Sequence, residues 1–310
     1  AQGRQPRPAA FYSIGCRTMW RLRVLCAHSR GVSPRAARPS GSTRPRAMSA
    51  ASAAAARDTK FLDVNGQKLF VVTAGNLLGG TPVLCMPGAM GTAETDFSYQ
   101  LDGLSAHHGV VSLDPRGYGQ SRPPMRRYPA DFYHLDACDA AGVMEALGCS
   151  SYHVIGWSDG AISATLLAAK RPEKVKKLVV FGIQASITKE DVDTYEGMRD
   201  VEKAWSARML AAHRGVYGDD VQPMWSSFCD AMKMIYDSGG DFCQEEAKMI
   251  KCPTLILHGA KDPIVPSHHP EWFNANIADS RMYTFPEGKH NIHQKFAEDF
   301  NRRVLEFLEE

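Results

Sequence analysis

Long apolar runs are missing from the sequence: nowhere do about eighteen uncharged apolar residues follow one another, as a membrane-spanning helix requires. We therefore expect no transmembrane helix and no membrane partner. The eight cysteines form no Cys-x-x-Cys pair, and the eleven histidines are scattered. These spacings exclude the common zinc and dithiol motifs, so we expect no metal site and thiols that remain free.

Acidic residues are absent from positions 1–57, which contain eleven arginines and no lysine. Subtracting these arginines from the 36 basic residues leaves 25 basic against 34 acidic residues in 58–310. The basic charge therefore belongs to the N-terminal segment, and the remainder gives no reason to expect nucleic-acid binding.

The composition of residues 1–57 also predicts how this segment behaves. It is too poor in apolar residues to offset its chain entropy, so we expect it to be disordered. An Arg- and Ser-rich segment without acids is typical of a mitochondrial transit peptide, and 19–25 has the pattern of a short amphipathic helix. We expect a mitochondrial location; the alternative is a solvated tail that carries no targeting signal.

Short apolar runs recur from residue 58 onward and predict an α/β fold. The first region, 60–72, has the pattern of a hairpin that turns at Asn65-Gly66. Later runs lie at 82–86, 108–113, 152–156, 177–181, 254–258 and 281–285. Near-continuous apolar runs of this length indicate strands covered on both faces, and helical stretches such as 131–148 and 161–171 separate them. This alternation predicts a mostly parallel, doubly wound sheet.

One connection is far longer than a crossover helix requires. About seventy residues separate the runs at 177–181 and 254–258, whereas a crossover needs about a dozen. Helical patterns occur at 189–210, 222–236 and 244–250. We therefore expect a helical cap at 184–250, inserted between the two parts of an α/β core at 58–183 and 251–310.

The motif Gly156-Trp157-Ser158-Asp159-Gly160 has the form G-x-S-x-G and lies between a predicted strand and a predicted helix. Such a sharp turn holds its central residue in a strained conformation, and a Cβ at either glycine would clash across it. The strain exposes the Ser158 hydroxyl beside a helix N-terminus, where developing negative charge is favoured. Ser158 is therefore the candidate nucleophile.

A serine nucleophile needs a base and an acid that orients the base. Asp262 follows the strand at 254–258, and His290 follows the strand at 281–285. The chain order Ser, Asp, His is the one found in α/β folds whose nucleophile lies on a G-x-S-x-G turn. All three candidates also lie at carboxyl ends of strands, where open α/β sheets bind ligands. His293, His268 and His269 are weaker alternatives because they lie deeper in the following helical stretches.

Acyl transfer also requires donors for the oxyanion. One should be the backbone N–H of Asp159, the residue after the nucleophile. The other should come from the loop at 87–91, where two glycines let the backbone turn inward. Ala89 is the first candidate there. Met90 is the second, and we expect it to contact substrate.

Four segments carry a family resemblance: GWSDG at 156–160, DPRGYG at 114–119, YEGMRDV at 195–201 and PEGKHN at 286–291. Together they resemble the α/β-hydrolase family over residues 59–310, and more specifically its valacyclovir hydrolase (biphenyl hydrolase-like) branch. The resemblance implies an α/β-hydrolase fold, a serine esterase without cofactor, and hydrolysis of α-amino acid esters or thiolactones by Ser158, Asp262 and His290. It also implies that Asp159 holds the substrate's ammonium group.

A carboxylate beside the nucleophile attracts a cationic amine by itself, although an acid at a helix start can simply complement the helix dipole. We therefore expect a monomeric enzyme whose partner is a small ester with a free α-amino group. The alternatives are a hydrolase that cleaves carbon–carbon bonds of ring-fission products with the same triad, and a non-catalytic binding protein of the same fold. The negative charge of Asp159 disfavours anionic ring-fission products, and the complete triad disfavours a mere binding protein.

Overall fold

The computed structural model describes residues 56–310. The predicted disorder, amphipathic helix and targeting role of the N-terminal segment lie outside these residues. No helix within 56–310 is long and apolar enough to cross a membrane. The six cysteines within residues 56–310 are buried and form no disulfide bond with one another.

A single eight-stranded sheet organises the fold, in the order β1-β2-β4-β3-β5-β6-β7-β8. The strands are β1 (Arg57–Val64), β2 (Gln67–Ala74), β3 (Val83–Met86), β4 (Val110–Leu113), β5 (Tyr152–Trp157), β6 (Val175–Phe181), β7 (Thr254–Gly259) and β8 (Ser280–Phe285). The first two strands form the predicted hairpin, and Asn65 and Gly66 both have positive φ angles, as its two-residue turn requires. From β4 to β8 neighbouring strands are parallel. The predicted mostly parallel sheet is confirmed.

Helices cover both faces of the sheet. They are α1 (Ala93–Leu104), α2 (Phe132–Ala146), α3 (Asp159–Lys170), α4 (Lys189–Gly197), α5 (Val201–Ala204), α6 (Ala207–Tyr217), α7 (Val221–Asp237), α8 (Gln244–Ala247), α9 (His268–Asn276), α10 (Ile292–Lys295) and α11 (Ala297–Glu309). Successive strand residues alternate between two cores: Val154 and Val180 pack on one face, and Ile155 and Phe181 on the other. This double burial explains why the strands read as unbroken apolar runs.

The segment between β6 and β7 is helical, and its two ends meet. The backbone N–H of Ile187 donates to the carbonyl of Gly240, and that of Phe242 donates to Ala185. Between these ends, α7 presents apolar residues at helical spacing, including Trp225 and Phe228, to the core on that face of the sheet. The cap is thus anchored at its base.

Two sequence-based boundaries differ from the structure. The single helical stretch expected at 189–210 is three helices, because Asp200 and Ser206 each accept a hydrogen bond from a backbone N–H three residues later and start a new helix. The folded part was expected to begin at residue 58, but β1 already begins at Arg57. The Arg57 guanidinium pairs with Asp102 at 2.8 Å, which holds this residue on the folded domain.

Candidate active site

Ser158 occupies the turn between β5 and α3 with φ 54° and ψ −121°. A positive φ is strained for a residue that carries a side chain. A Cβ at Gly156 would lie 2.5 Å from the carbonyl oxygen of Gly160, and a Cβ at Gly160 would lie 2.0 Å from that of Met86. Both glycines are therefore required, as the motif predicts, and the turn places Ser158 at the carboxyl edge of the sheet.

Asp262 and His290 come together from the loops that follow β7 and β8. Nδ1 of His290 donates to Oδ2 of Asp262 at 2.8 Å, and their side chains are 15% and 1% exposed, respectively. The other carboxylate oxygen accepts the backbone N–H groups of Ile264 and Val265. Burial acts to raise the pKa of Asp262, but the hydrogen bond and charge of His290, with these two N–H groups, hold it below its ordinary value. The arrangement leaves Nε2 of His290 able to accept a proton.

The His290 loop reaches back over the ends of β7 and β6 toward Ser158. A Cβ at Gly259 would lie 2.4 Å from the carbonyl oxygen of Lys289, and one at Gly182 would lie 2.8 Å from Cε1 of His290. The indole N–H of Trp157, the residue before Ser158, donates to the carbonyl of His290 at 3.1 Å.

The serine hydroxyl itself has no hydrogen-bond partner within residues 56–310. The structure therefore joins Asp262 to His290 by a direct hydrogen bond. It also places His290 against Trp157, the residue that precedes Ser158. Serine–histidine hydrogen bonds are often long or misaligned before substrate binds.

The loop after β3 forms a turn over residues 88–91, which we call the oxyanion turn. The N–H of Gly91 donates to the carbonyl of Gly88, and Met90, the third residue of the turn, has a φ of 56°. Within the described residues, the backbone N–H groups of Ala89, Met90 and Asp159 have no acceptor. The expected oxyanion donors are thus unpaired, while a Cβ at Gly88 would lie only 3.3 Å from the Cβ of Ser158.

The carboxylate of Asp159, at the first position of α3, is enclosed and only partly paired. Its Oδ1 accepts a hydrogen bond from the Tyr133 hydroxyl at 3.1 Å. Its Oδ2 is buried and has no partner within residues 56–310. Burial raises the pKa of Asp159 to about 7, although the charge of Arg126 and the Tyr133 hydrogen bond lower it. An unpaired buried carboxylate oxygen is costly, and a cationic ligand would relieve that cost.

Comparison with known proteins agrees with this geometry. A family model described as the alpha/beta hydrolase fold matches residues 81–295. The serine hydrolase BPHL of Homo sapiens is 40% identical over 301 residues, which cover 96% of this chain and 99% of the relative.

Two further matches are more distant. A 2-hydroxy-6-oxononadienedioate/2-hydroxy-6-oxononatrienedioate hydrolase of Pseudomonas putida is 28% identical over 72% of this chain and 84% of its own length. The structure of a serine hydrolase from Cycloclasticus zankles has a TM-score of 0.71 at 18% identity, over 82% of this chain and 98% of the other, a likeness of fold.

The chain belongs to the α/β-hydrolase family. Its similarity to BPHL over nearly the whole length makes it a serine hydrolase of that family.

The other histidines considered from the sequence lie outside the acid–base pair of this hydrolase. His293 packs its ring 4.5 Å from that of Trp157, and burial lowers its pKa to about 3, so it remains neutral. The ring of His269 accepts the backbone N–H of Ala185 at the base of the cap. His268 is exposed.

A small cavity of about 20 Å³ lies beside Asp159 in the hydrolase, with room for about one water molecule. Charged side chains line it in pairs. Arg116 binds Asp139 through two contacts of 2.7 Å, and Arg126 binds Asp136 through contacts of 2.7 and 2.6 Å. The two pairs cancel, so Asp159 supplies the one uncompensated charge among the residues that line the cavity.

Sequence reasoning missed Tyr133, Arg126 and Asp136 as neighbours of the site. They lie on α2 and the preceding loop, which carry no recognisable motif, and only the fold brings them to Asp159. Asp114 and Arg116 brace the neighbouring loops, and Arg116 does so by its pairing with Asp139. Asp114 accepts the backbone N–H groups of Ala93 and Gln120.

Proposed function

We propose that this serine hydrolase cleaves esters or thiolactones of α-amino acids that carry a free amino group, through an acyl-enzyme. The observation that supports this substrate class is the enclosed, uncompensated carboxylate of Asp159 next to Ser158. An ammonium group is about the size of the water molecule that the adjoining cavity can hold. Such a group would donate to Oδ2 and neutralise its charge.

In the proposed reaction, Nε2 of His290 removes the proton of Ser158 as its oxygen attacks the ester carbonyl. The N–H groups of Ala89 and Asp159 stabilise the oxyanion that forms. His290 then passes the proton to the departing alcohol or thiol, and Asp262 holds the imidazole and stabilises its charged form. Water attacks the acyl-enzyme, with His290 again as the base, and releases the amino acid.

The dual position of Asp159 gives this mechanism its selectivity. Its backbone N–H points to the oxyanion while its side chain holds the ammonium group, so the same residue fixes the α-amino group relative to the reacting carbonyl. A substrate without the ammonium group loses that orientation. Orientation of the bound substrate in this way increases kcat/KM because it positions the reacting atoms.

The first test compares a valyl ester with its N-acetylated counterpart on the wild type and on Asp159→Asn. We expect the wild type to prefer the free amine, and the variant to lose about 10- to 100-fold in kcat/KM for it, the value of a charged hydrogen bond. The acetylated ester should change little. Asp237→Asn, on the exposed surface of the cap, serves as a matched control and should keep the preference. Equal use of both esters by the wild type would contradict the proposed substrate class.

A carbon–carbon bond hydrolase of the ring-fission type is the alternative, suggested by the Pseudomonas putida relative. Such products are anionic, and Asp159 would repel them. Including a ring-fission dicarboxylate in the same panel decides the matter, because rapid turnover of that compound would favour the alternative.

We also propose a mitochondrial location, which rests on the acid-free, Arg-rich composition of residues 1–57. The test is a fusion of residues 1–57 to a fluorescent protein. Co-localisation with mitochondria is expected, and a diffuse signal would contradict it.

A further inference from the structure

The oxyanion turn is held from two opposite sides. On the core side, the N–H of Gly88 donates to Oδ2 of the buried Asp96 at 2.9 Å. On the cap side, the carbonyl oxygen of Met90 accepts a hydrogen bond from the Tyr217 hydroxyl at 2.8 Å. Tyr217 is the last residue of α6, so a residue of the cap contacts the backbone that carries the expected oxyanion donors.

The Met90 carbonyl depends on this contact. Met90 is 2% exposed, so water cannot easily replace the tyrosine hydroxyl at its carbonyl oxygen. Its positive φ also makes the local conformation strained, and strained backbone persists only where surrounding contacts fix it. Loss of the hydroxyl would therefore leave a buried acceptor unpaired and remove one restraint on the strained residue.

The orientation of the tyrosine hydroxyl is fixed as well. Its oxygen accepts the backbone N–H of Gly119 at 3.2 Å, which directs the hydroxyl proton to Met90. The ring is held by Arg122, whose guanidinium lies 4.7 Å from the ring centroid. Arg122 also donates to the carbonyl of Val216 and pairs with Asp220 at 3.2 Å. The end of α6 is thus tied to the core loop at 114–122.

We propose that Tyr217 is a positioning residue that holds the oxyanion turn in its active conformation and so couples the seating of the cap to the chemical step. It touches no reacting atom and acts through the backbone of Met90. This inference rests on the proposed assignment of the oxyanion donors, but it does not depend on which ester is the natural substrate.

The test is Tyr217→Phe, which removes the hydroxyl and keeps the ring. With the neutral ester 4-nitrophenyl butyrate, kcat should fall by about 10- to 100-fold, which is no more than the fall in kcat that removal of one oxyanion donor typically causes. KM should change by less than about twofold. An arylboronic acid provides the second readout, because it forms a tetrahedral adduct with the active serine and places an oxygen in the oxyanion site. Its affinity should fall in parallel with kcat.

Two matched variants separate positioning from loss of stability. Tyr236→Phe removes an exposed cap hydroxyl and should leave kcat and boronate affinity unchanged. Asp237→Asn removes a charge on the exposed surface of the cap, where Asp237 pairs with Lys233, and it should also keep kcat. Melting temperatures of all variants establish that they are folded at the assay temperature.

Several outcomes would overturn the inference. These are an unchanged kcat in Tyr217→Phe, a loss of kcat without loss of boronate affinity, or an equal loss in Asp237→Asn. If the wild type neither hydrolyses a valyl ester with a free amino group nor binds the boronate, the proposed function itself is wrong. If the wild type does both and Tyr217→Phe matches it, only the role of Tyr217 is wrong.

Discussion

Ser158 and Asp159 are adjacent in the chain: Ser158 has a strained backbone, and Asp159 has a buried carboxylate that is only partly paired. The G-x-S-x-G motif predicted the strained turn and the position of Ser158, the candidate nucleophile, at its centre, because both follow from glycine spacing alone. The environment of the Asp159 carboxylate could not be predicted this way. Its partner Tyr133 and the neighbouring Arg126 are distant in sequence, and nothing in their local pattern indicates that they meet.

The raised pKa of Asp159 makes a prediction about stability. In the unfolded chain the pKa of an aspartate is about 3.9, whereas burial raises that of Asp159 in the folded protein to about 7. The folded state therefore holds its proton more tightly, and the charged side chain lowers stability progressively as the pH rises between these values.

Asp159→Asn should accordingly increase the free energy of unfolding, by roughly 1–3 kcal/mol at pH 8 and by less at pH 5. Urea denaturation of both proteins at the two pH values measures this. A variant that is less stable than the wild type at pH 8 would show that the carboxylate is stabilised in the folded state. The same substitution should reduce the preference for free amines, so stability and function change in opposite directions.

At the scale of elements, the turn between β5 and α3 fits so closely under the loop after β3 that it has no room for a methyl group. Gly160→Ala should lower the free energy of unfolding by about 2–4 kcal/mol, since its Cβ would meet the backbone carbonyls of Met86 and Pro87. The matched control is Gly215→Ala in α6, where nothing beyond the neighbouring residues and backbone of its own helix lies within 4 Å of the added Cβ.

The control substitution should raise stability by about 0.5–1 kcal/mol, because alanine is the better helix former at an unhindered site. Chemical denaturation of the two variants gives both values. If the two substitutions had the same sign, the close packing of the turn would be refuted.

Strands and helices of the core were predictable because their apolar runs are nearly continuous and separated by helical stretches. The cap was harder, since the pattern at 189–210 has helical spacing throughout. Asp200 and Ser206 interrupt this pattern by capping new helices. An aspartate or a serine inside a helical pattern does not by itself show that one helix ends and another begins. The contact of Tyr217 with Met90 was likewise beyond prediction, because it joins the cap to a loop 127 residues away.

For the whole molecule, the sequence predicted a parallel sheet with the candidate residues at one edge, but not the order of the strands. That order depends on how each crossover packs, and no local pattern contains it. In the structure, β6 separates the strands that carry Ser158 and Asp262. The loop after β8 has to extend across the ends of β7 and β6 to reach Ser158 after β5. The glycines at 182 and 259 leave room for His290 and for the backbone that precedes it.

The account depends on an activated serine at position 158, and labelling with a fluorophosphonate probe tests this most directly. Mass spectrometry of the labelled protein should place the adduct on Ser158, with His290→Ala losing the label and the exposed His268→Ala retaining it. A wild type that remains unlabelled, or one modified at another serine while Ser158 stays free, would contradict the account.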